Sequence, residues 1–243
     1  MPDKWSVIYD NNDLFIINKP SGLPVLPAGG FMEHSLLKLL EKQYQNDKYG
    51  LPRPVHRLGR FTSGLLVCAR KSESRAWLSA LLRDHQAPND CRKIYRALLQ
   101  IPTSDSALLA LQPGTNFELN TPIGLRPHHR LGKIWAAASD PTASDCLPAS
   151  SELQILQKGA KAWLAQIKIA TGRPHQIRIH TATAGAPLLG DPLYMPGGST
   201  SDALPGDGGY HLHAHQLLLP LANGEKLNLK APLPKLLKTF IQF

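Results

Sequence analysis

Between His56 and Arg70 a polar, basic loop runs straight into a short apolar segment, Leu65-Leu66-Val67-Cys68-Ala69, bounded by Gly64 and Arg70. An apolar run of this length between turn signals reads as a strand buried in a sheet. The loop before it is then pinned at one end by the core. His56, Arg57 and Arg60 therefore stand on an anchored loop, which suits phosphate or another anionic substrate. Taken alone, they equally suit an ordinary basic loop beside a core strand.

The rest of the composition bears on what that loop meets. Lys and Arg outnumber Asp and Glu by 27 to 18, a net charge of +9. Such a balance favours a polyanionic partner, nucleic acid before membrane surface. With 243 residues the chain is long enough for a real core, and 21 prolines and 19 glycines predict many turns within it. Cys68, Cys91 and Cys146 form no Cys-x-x-Cys pair, which argues against a disulfide framework or zinc site and fits a reducing cytosol. Residues Met1 to Trp5 carry no leader pattern, and no stretch approaches ~18 consecutive apolar residues. The expectation is a cytoplasmic monomer that does not cross a membrane.

Periodicity places the elements. Val7–Tyr9 and Leu14–Asn18 predict a hairpin across Asp10-Asn11-Asn12-Asp13. Ser35–Tyr44 predicts a helix with Leu36, Leu40 and Tyr44 on one stripe. A second helix is expected with Ser72 as N-cap, Glu73 in its first turn, and Trp77, Leu78, Leu81 and Leu82 as its apolar face. Lys93–Leu99 reads as a strand alternating exposed and buried, on which Tyr95 by itself is a core aromatic. Residues 102–150 read as loop, with Arg126, His128, His129, Arg130 and Lys133 a solvated basic cluster that suits a polyanion and 140–151 a mobile insertion.

Leu153–Leu156 and Ala162–Ile169 predict a hairpin, and Thr171–His180 a turn opening a helix that Gly185 stops near Ala184. Pro196–Gly209 reads as a flexible loop. His211, His213 and His215 would share a strand face, on which a metal is conceivable from the residues alone. Asn223-Gly224 predicts a hairpin turn before a closing strand and a short C-terminal helix.

Four of these stretches carry a resemblance. His56 to Leu66 resembles the signature His-Arg-Leu-Asp-Arg-x-Thr-Ser-Gly-Leu-Leu of the RNA pseudouridine synthases of the RluA/RsuA type, closest to RluA. The match holds at His56, Arg57, Leu58, Arg60, Thr62, Ser63, Gly64, Leu65 and Leu66, and Gly59 stands where that family has its catalytic Asp. Lys93-Ile94-Tyr95-Arg96-Ala97 resembles the family's Lys-x-Tyr-x-Ala strand. Thr171-Gly172-Arg173-Pro174-His175-Gln176-Ile177-Arg178-Ile179-His180, with Gly190-Asp191-Pro192-Leu193-Tyr194 after it, resembles a further family motif almost completely. Asp13 to Leu23 is similar to the opening motif, which leaves no room before it for an S4-type RNA-binding domain.

The resemblance implies an α+β fold: a single catalytic domain over 1–243, with a mixed, largely antiparallel bent sheet, flanking helices and a central cleft. It implies isomerisation of uridine to pseudouridine in structured rRNA or tRNA by base flipping, with no cofactor and no metal. Tyr95 and Arg178 are the implied catalytic residues. His56, Arg57, Arg60, Thr62, Arg173, His175, Gln176 and His180 are the implied RNA-binding ones, and Asp191 matches a position taken as structural. Gly59 leaves two functions open, an active synthase or an inactive relative that binds or remodels RNA.

Overall fold

The computed structural model describes residues 5–83, 91–140 and 142–241. The expectation for Met1 to Lys4 lies outside them, as does Pro141 within the supposed insertion. Contacts divide the chain into two compact units, residues 1–93 with 213–233 and residues 94–212 with 234–243.

In the first unit, β1 (Ser6–Asp10) and β2 (Leu14–Lys19) form the expected antiparallel hairpin. Asn11 closes it, its Oδ1 accepting the backbone N–H of Asp13 and Leu14 at 2.9 and 2.7 Å. Next to β2, and antiparallel to it, runs β4 (Thr62–Ala69), buried along its whole length. A strand covered on both faces needs a continuous apolar run, which is why this segment lacks alternation. The two-residue β3 (Arg53–Pro54) also pairs with β4. On the other side of β4 lies β11 (Leu212–Pro220), joined through the Asn223-Gly224 turn to β12 (Lys226–Lys230).

Helix α1 (Leu36–Tyr44) begins as expected, the Ser35 hydroxyl accepting from Lys38 N. In α2 (Ser72–Arg83) two expectations are corrected. Ser72 is already helical, and the Lys71 carbonyl accepts the first helical bond from Arg75 N. Trp77 is exposed, because Leu78 and Leu82 alone turn fully inward. Arg70 ends β4 as a buried clamp. Its guanidinium bonds Asp10 at 2.8 Å, Asp47 at 2.9 Å and the Gly50 carbonyl at 2.7 Å, and lies over Phe15.

The second unit holds β5 (Arg92–Leu99, from Ile94), β10 (Trp163–Ile169), β9 (Ser151–Lys158) and β6 (Asn116–Leu119), in that spatial order. The alternation expected of β5 stops at Ala97, after which Leu98 and Leu99 are both buried. The stretch read as loop is largely β-structure. Besides β6 it holds a separate antiparallel hairpin, β7 (Ile123–His128) with β8 (Gly132–Ala137). Its short strands are rich in Gly, Pro and His, which hid the period. The basic cluster therefore rides on a hairpin, and His128 is buried. The insertion read at 140–151 ends tied down, with Leu147 bridged to Ile123 and Ala149 buried.

Helix α3 (Gln176–Thr183) packs against this hairpin, and Ile123, Ile134, Ile179, Ala182, Leu193 and Tyr194 share one apolar cluster. The Pro196–Gly209 segment is more structured than expected, with a short 3-10 turn at Pro196–Gly198 and Gly198 packed against Thr183. Helix α4 (Lys235–Ile241) closes the chain.

Candidate functional site

In the second unit the site is organised around Arg178, in the first turn of α3 and almost fully buried. A buried guanidinium is stable only when paired and hydrogen-bonded. Asp191 supplies both conditions, receiving Arg178 Nε on Oδ2 at 2.6 Å and Nη2 on Oδ1 at 2.8 Å. Arg178 Nη1 donates to the Pro205 carbonyl at 3.0 Å. The guanidinium lies over the rings of Tyr210 and Tyr194, 4.4 and 4.8 Å from their centroids. Burial opposes its charge, but the Asp191 hydrogen bonds and charge outweigh that and hold its pKa above the usual value. Asp191 is itself pinned, Oδ1 also accepting the N–H of Leu193 and Tyr194 at 3.0 and 3.3 Å. Two arginine bonds and two backbone bonds fix this carboxylate in place, which makes it a good anchor.

The turn before α3 is held as tightly. His175 takes a left-handed conformation (φ 54°), unusual for a residue with a side chain. Tyr194 donates its hydroxyl proton to the Trp135 carbonyl at 2.7 Å. The contact of His175 Nδ1 with the Tyr194 hydroxyl oxygen, at 2.7 Å, is therefore a donation by the imidazole. Gln176 Oε1 accepts from Arg173 N and the Thr171 hydroxyl, while its Nε2 donates to Ser150 O and to Ser151 Oγ. The chain of bonds continues from Ser151 to His180 Nδ1 and from His180 Nε2 to the Thr121 carbonyl, both at 2.9 Å. Burial pushes the His180 pKa down, against the opposing pull of the Thr121 carbonyl, and the ring is neutral.

Two residues expected at RNA are thus placed elsewhere. Gln176 and His180 are 3% and 0% exposed, and their polar atoms hold the Thr171–Arg173 turn and β9. Arg173 keeps its reach. Its Nε donates to the Pro148 carbonyl at 2.9 Å, and its Nη groups carry no bond among the described residues. Tyr95 is buried on β5 at 9% exposure.

In the first unit the signature loop rests on Lys19, a residue the sequence did not single out. Its ammonium is fully buried and donates to the carbonyls of Leu23, Pro20 and Arg60, at 2.7, 2.9 and 3.1 Å. Burial lowers its pKa to about 7. His56, expected at RNA, accepts the Val67 backbone N–H on Nε2 at 3.0 Å, and burial pushes its pKa down to about 3. It is a neutral strut between loop and strand, because the ring nitrogen that would take a proton is already an acceptor. Arg60 lies over Phe31 and Phe61 and bonds the Gly22 carbonyl, while Arg57 and Gly59 are exposed. The Gly59 carbonyl accepts from Thr62 N at 3.0 Å, forming the turn into β4, where Thr62 is buried.

Ser63 and His213 make a further buried pair, Oγ to Nδ1 at 2.9 Å. His213 and His215 do share a face of β11, their rings 6.0 Å apart, but His215 Nδ1 is spent on the Ala231 carbonyl at 3.0 Å. His211 precedes the strand. No group of three His, Cys, Asp or Glu able to hold a metal occurs among the described residues.

The sequence did not single out Tyr210, His213 or Lys19 for these roles. Tyr210 follows a glycine-rich loop, and Lys19 ends an apolar strand, so neither position carries a pattern that announces a buried partner.

The chain is similar to known proteins. The family model described as RNA pseudouridylate synthase matches residues 13–183. An uncharacterized RNA pseudouridine synthase of Synechocystis sp. is 43% identical over 242 residues, covering 96% of this chain and 75% of that protein. RNA pseudouridine synthase 5 of Arabidopsis thaliana is 35% identical over 285 residues, covering 98% and 74%. Among solved structures, human RNA Pseudouridylate Synthase Domain Containing 4 shares the fold with a TM-score of 0.70 at 23% identity, covering 98% of this chain and 92% of that one. The α+β fold, with its largely antiparallel strands and flanking helices, is that of these synthases. Together with the near-complete motif around Arg178, these matches establish that the chain belongs to the RNA pseudouridylate synthase family, in its RluA branch, and is an isomerase by family.

Proposed function

We propose that the chain converts uridines of structured rRNA or tRNA to pseudouridine without a carboxylate at residue 59. The reaction breaks N1–C1′, joins C5 to C1′, takes the proton from C5 and leaves one on N1, with no net redox change. The observation that carries the reading is the intact Arg178–Asp191 pair under Tyr194 and Tyr210. A relative kept only for gripping RNA needs exposed cations, whereas a buried, doubly bonded arginine in a two-tyrosine setting is a built interior. In this reading Arg178 and Tyr95 act at the flipped base, and Arg57 and Arg173 hold phosphates.

A second reading rests on Gly59 itself. With only backbone at the turn, the sugar-directed step has no protein carboxylate there, and the fold would serve as an RNA-binding or RNA-remodelling module. Release of tritium from C5-labelled uridine in total RNA separates the two. The proposal expects release by the unmodified chain and its loss in Arg178→Ala. Silence from the unmodified chain, with release by Gly59→Asp, would select the second reading.

A further inference from the structure

In the first unit an open groove of about 480 Å³ lies between α1, β3 and α2. It belongs to none of the motifs above. Leu26, Leu37, Pro54 and Ala76 make it apolar, and Arg53 and Arg75 also line it. Ser72, Arg75, Ala76 and Ser79 fall at i, i+3, i+4 and i+7, so one face of α2 forms a wall. Ser79 ties that wall to the chain just past β3, donating to the Val55 carbonyl at 3.0 Å.

Two features set this groove apart from an ordinary surface depression. Leu26 is 44% exposed, an open apolar surface in the same groove as the two arginines rather than a core residue. Arg75 has no ion pair among the described residues, and Arg53 makes a loose, solvent-exposed ion pair with Glu41 at 3.6 Å that a phosphate would displace. An apolar floor beside two guanidinium groups complements a nucleotide, the base against the leucine and proline and the phosphates on the arginines. The groove lies within the ~300–1,000 Å³ range of sites that take a molecule of that size. It also leads on along the chain, since Arg53-Pro54 of β3 is followed directly by Val55-His56-Arg57 of the signature loop.

We infer that this groove is an accessory binding site for a single-stranded RNA segment, recognised through one unstacked base and two phosphates. The inference rests on the reading of the chain as an RNA-acting enzyme and names a second surface by which it takes that RNA. An acidic protein segment offers the same charges without planar bases, so the floor, rather than the arginines, discriminates between them.

The test is binding of a short fluorescent oligouridylate to the full chain by anisotropy, titrated over NaCl concentration. Arg53→Gln/Arg75→Gln is expected to weaken binding about tenfold at moderate salt and to make the log–log salt slope shallower by about 1.4, the value for two lost single-strand phosphate contacts. Leu26→Asn is expected to weaken it about threefold with the slope unchanged, since it removes apolar contact and no charge. Arg83→Gln/Arg92→Gln removes the same charge from exposed positions outside the groove and is expected to leave the slope unchanged. Thermal melting of each variant confirms folding.

Equal weakening by both double variants would reduce the effect to net charge and overturn the site. So would wild-type affinity in the groove variants, or displacement of the oligouridylate by an oligoglutamate peptide of matched charge. Those results leave tritium release from total RNA intact. A wild-type chain that binds neither oligouridylate nor total RNA would instead remove the RNA reading and the groove with it.

Discussion

At the residue scale, the interior is built on buried polar groups, most of them paired. Arg178 and Asp191 form the strongest case, since losing either strands a charge in the interior. Arg178→Ala and Asp191→Ala are each expected to cost about 3–5 kcal/mol in urea unfolding, and the double variant much less than their sum. Additive losses would mean that the pair is not coupled as its geometry requires. Histidines give the second prediction. His56 and His213 have pKa values lowered by burial to about 3 and about 4. A depressed folded pKa contributes stability that is present above the unfolded value near 6.5 and is lost as pH falls toward the folded one. Stability should therefore fall between about pH 6.5 and 4, and His213→Gln should flatten the ΔG–pH slope there by about one proton, roughly 1.4 kcal/mol per pH unit. An unchanged slope would mean that His213 is not buried neutral. Much of this was not legible beforehand. The motif places Arg178, His180 and Gln176 together, but only the fold shows Gln176 and His180 turned inward to Ser151 rather than outward to RNA.

At the element scale, the buried strand β4 and helix α3 were readable because their patterns are local, an unbroken apolar run and a polar turn before a helix. The β7–β8 hairpin was not, because its residues are selected by packing on α3 and not by alternation, and Gly, Pro and His mask its strands. Gly64 shows what the strand pattern leaves out. It has φ +104°, and a Cβ there would lie 2.2 Å from the Ala214 carbonyl oxygen of β11. Backbone cannot yield as a flexible side chain does, so Gly64→Ala is expected to destabilise by more than about 3 kcal/mol or to abolish soluble expression. A melting temperature within a few degrees of the parent would show that β4 and β11 do not approach that closely. The signature's glycine is in this view a requirement of strand packing.

At the scale of the whole molecule, α+β class and family follow from sequence and structure alike, while the chemistry turns on one position. Each unit keeps its part of the machinery in order. The first holds the signature loop on Lys19 and His56, and the second holds Arg178 on Asp191. Gly59 departs from the signature at the position where the resemblance implies a catalytic Asp. The turn's hydrogen bond, from Thr62 N to the Gly59 carbonyl, is one that any residue offers. The central claim is that the scaffold still isomerises uridine. It is tested most directly by incubating purified chain with RNA from cells lacking it and digesting the RNA to nucleosides for mass spectrometry. The account predicts pseudouridine formed by the unmodified chain, more of it with Gly59→Asp, and none with Arg178→Ala. Pseudouridine formed only by Gly59→Asp would contradict it and leave an RNA-binding module whose catalyst has been removed.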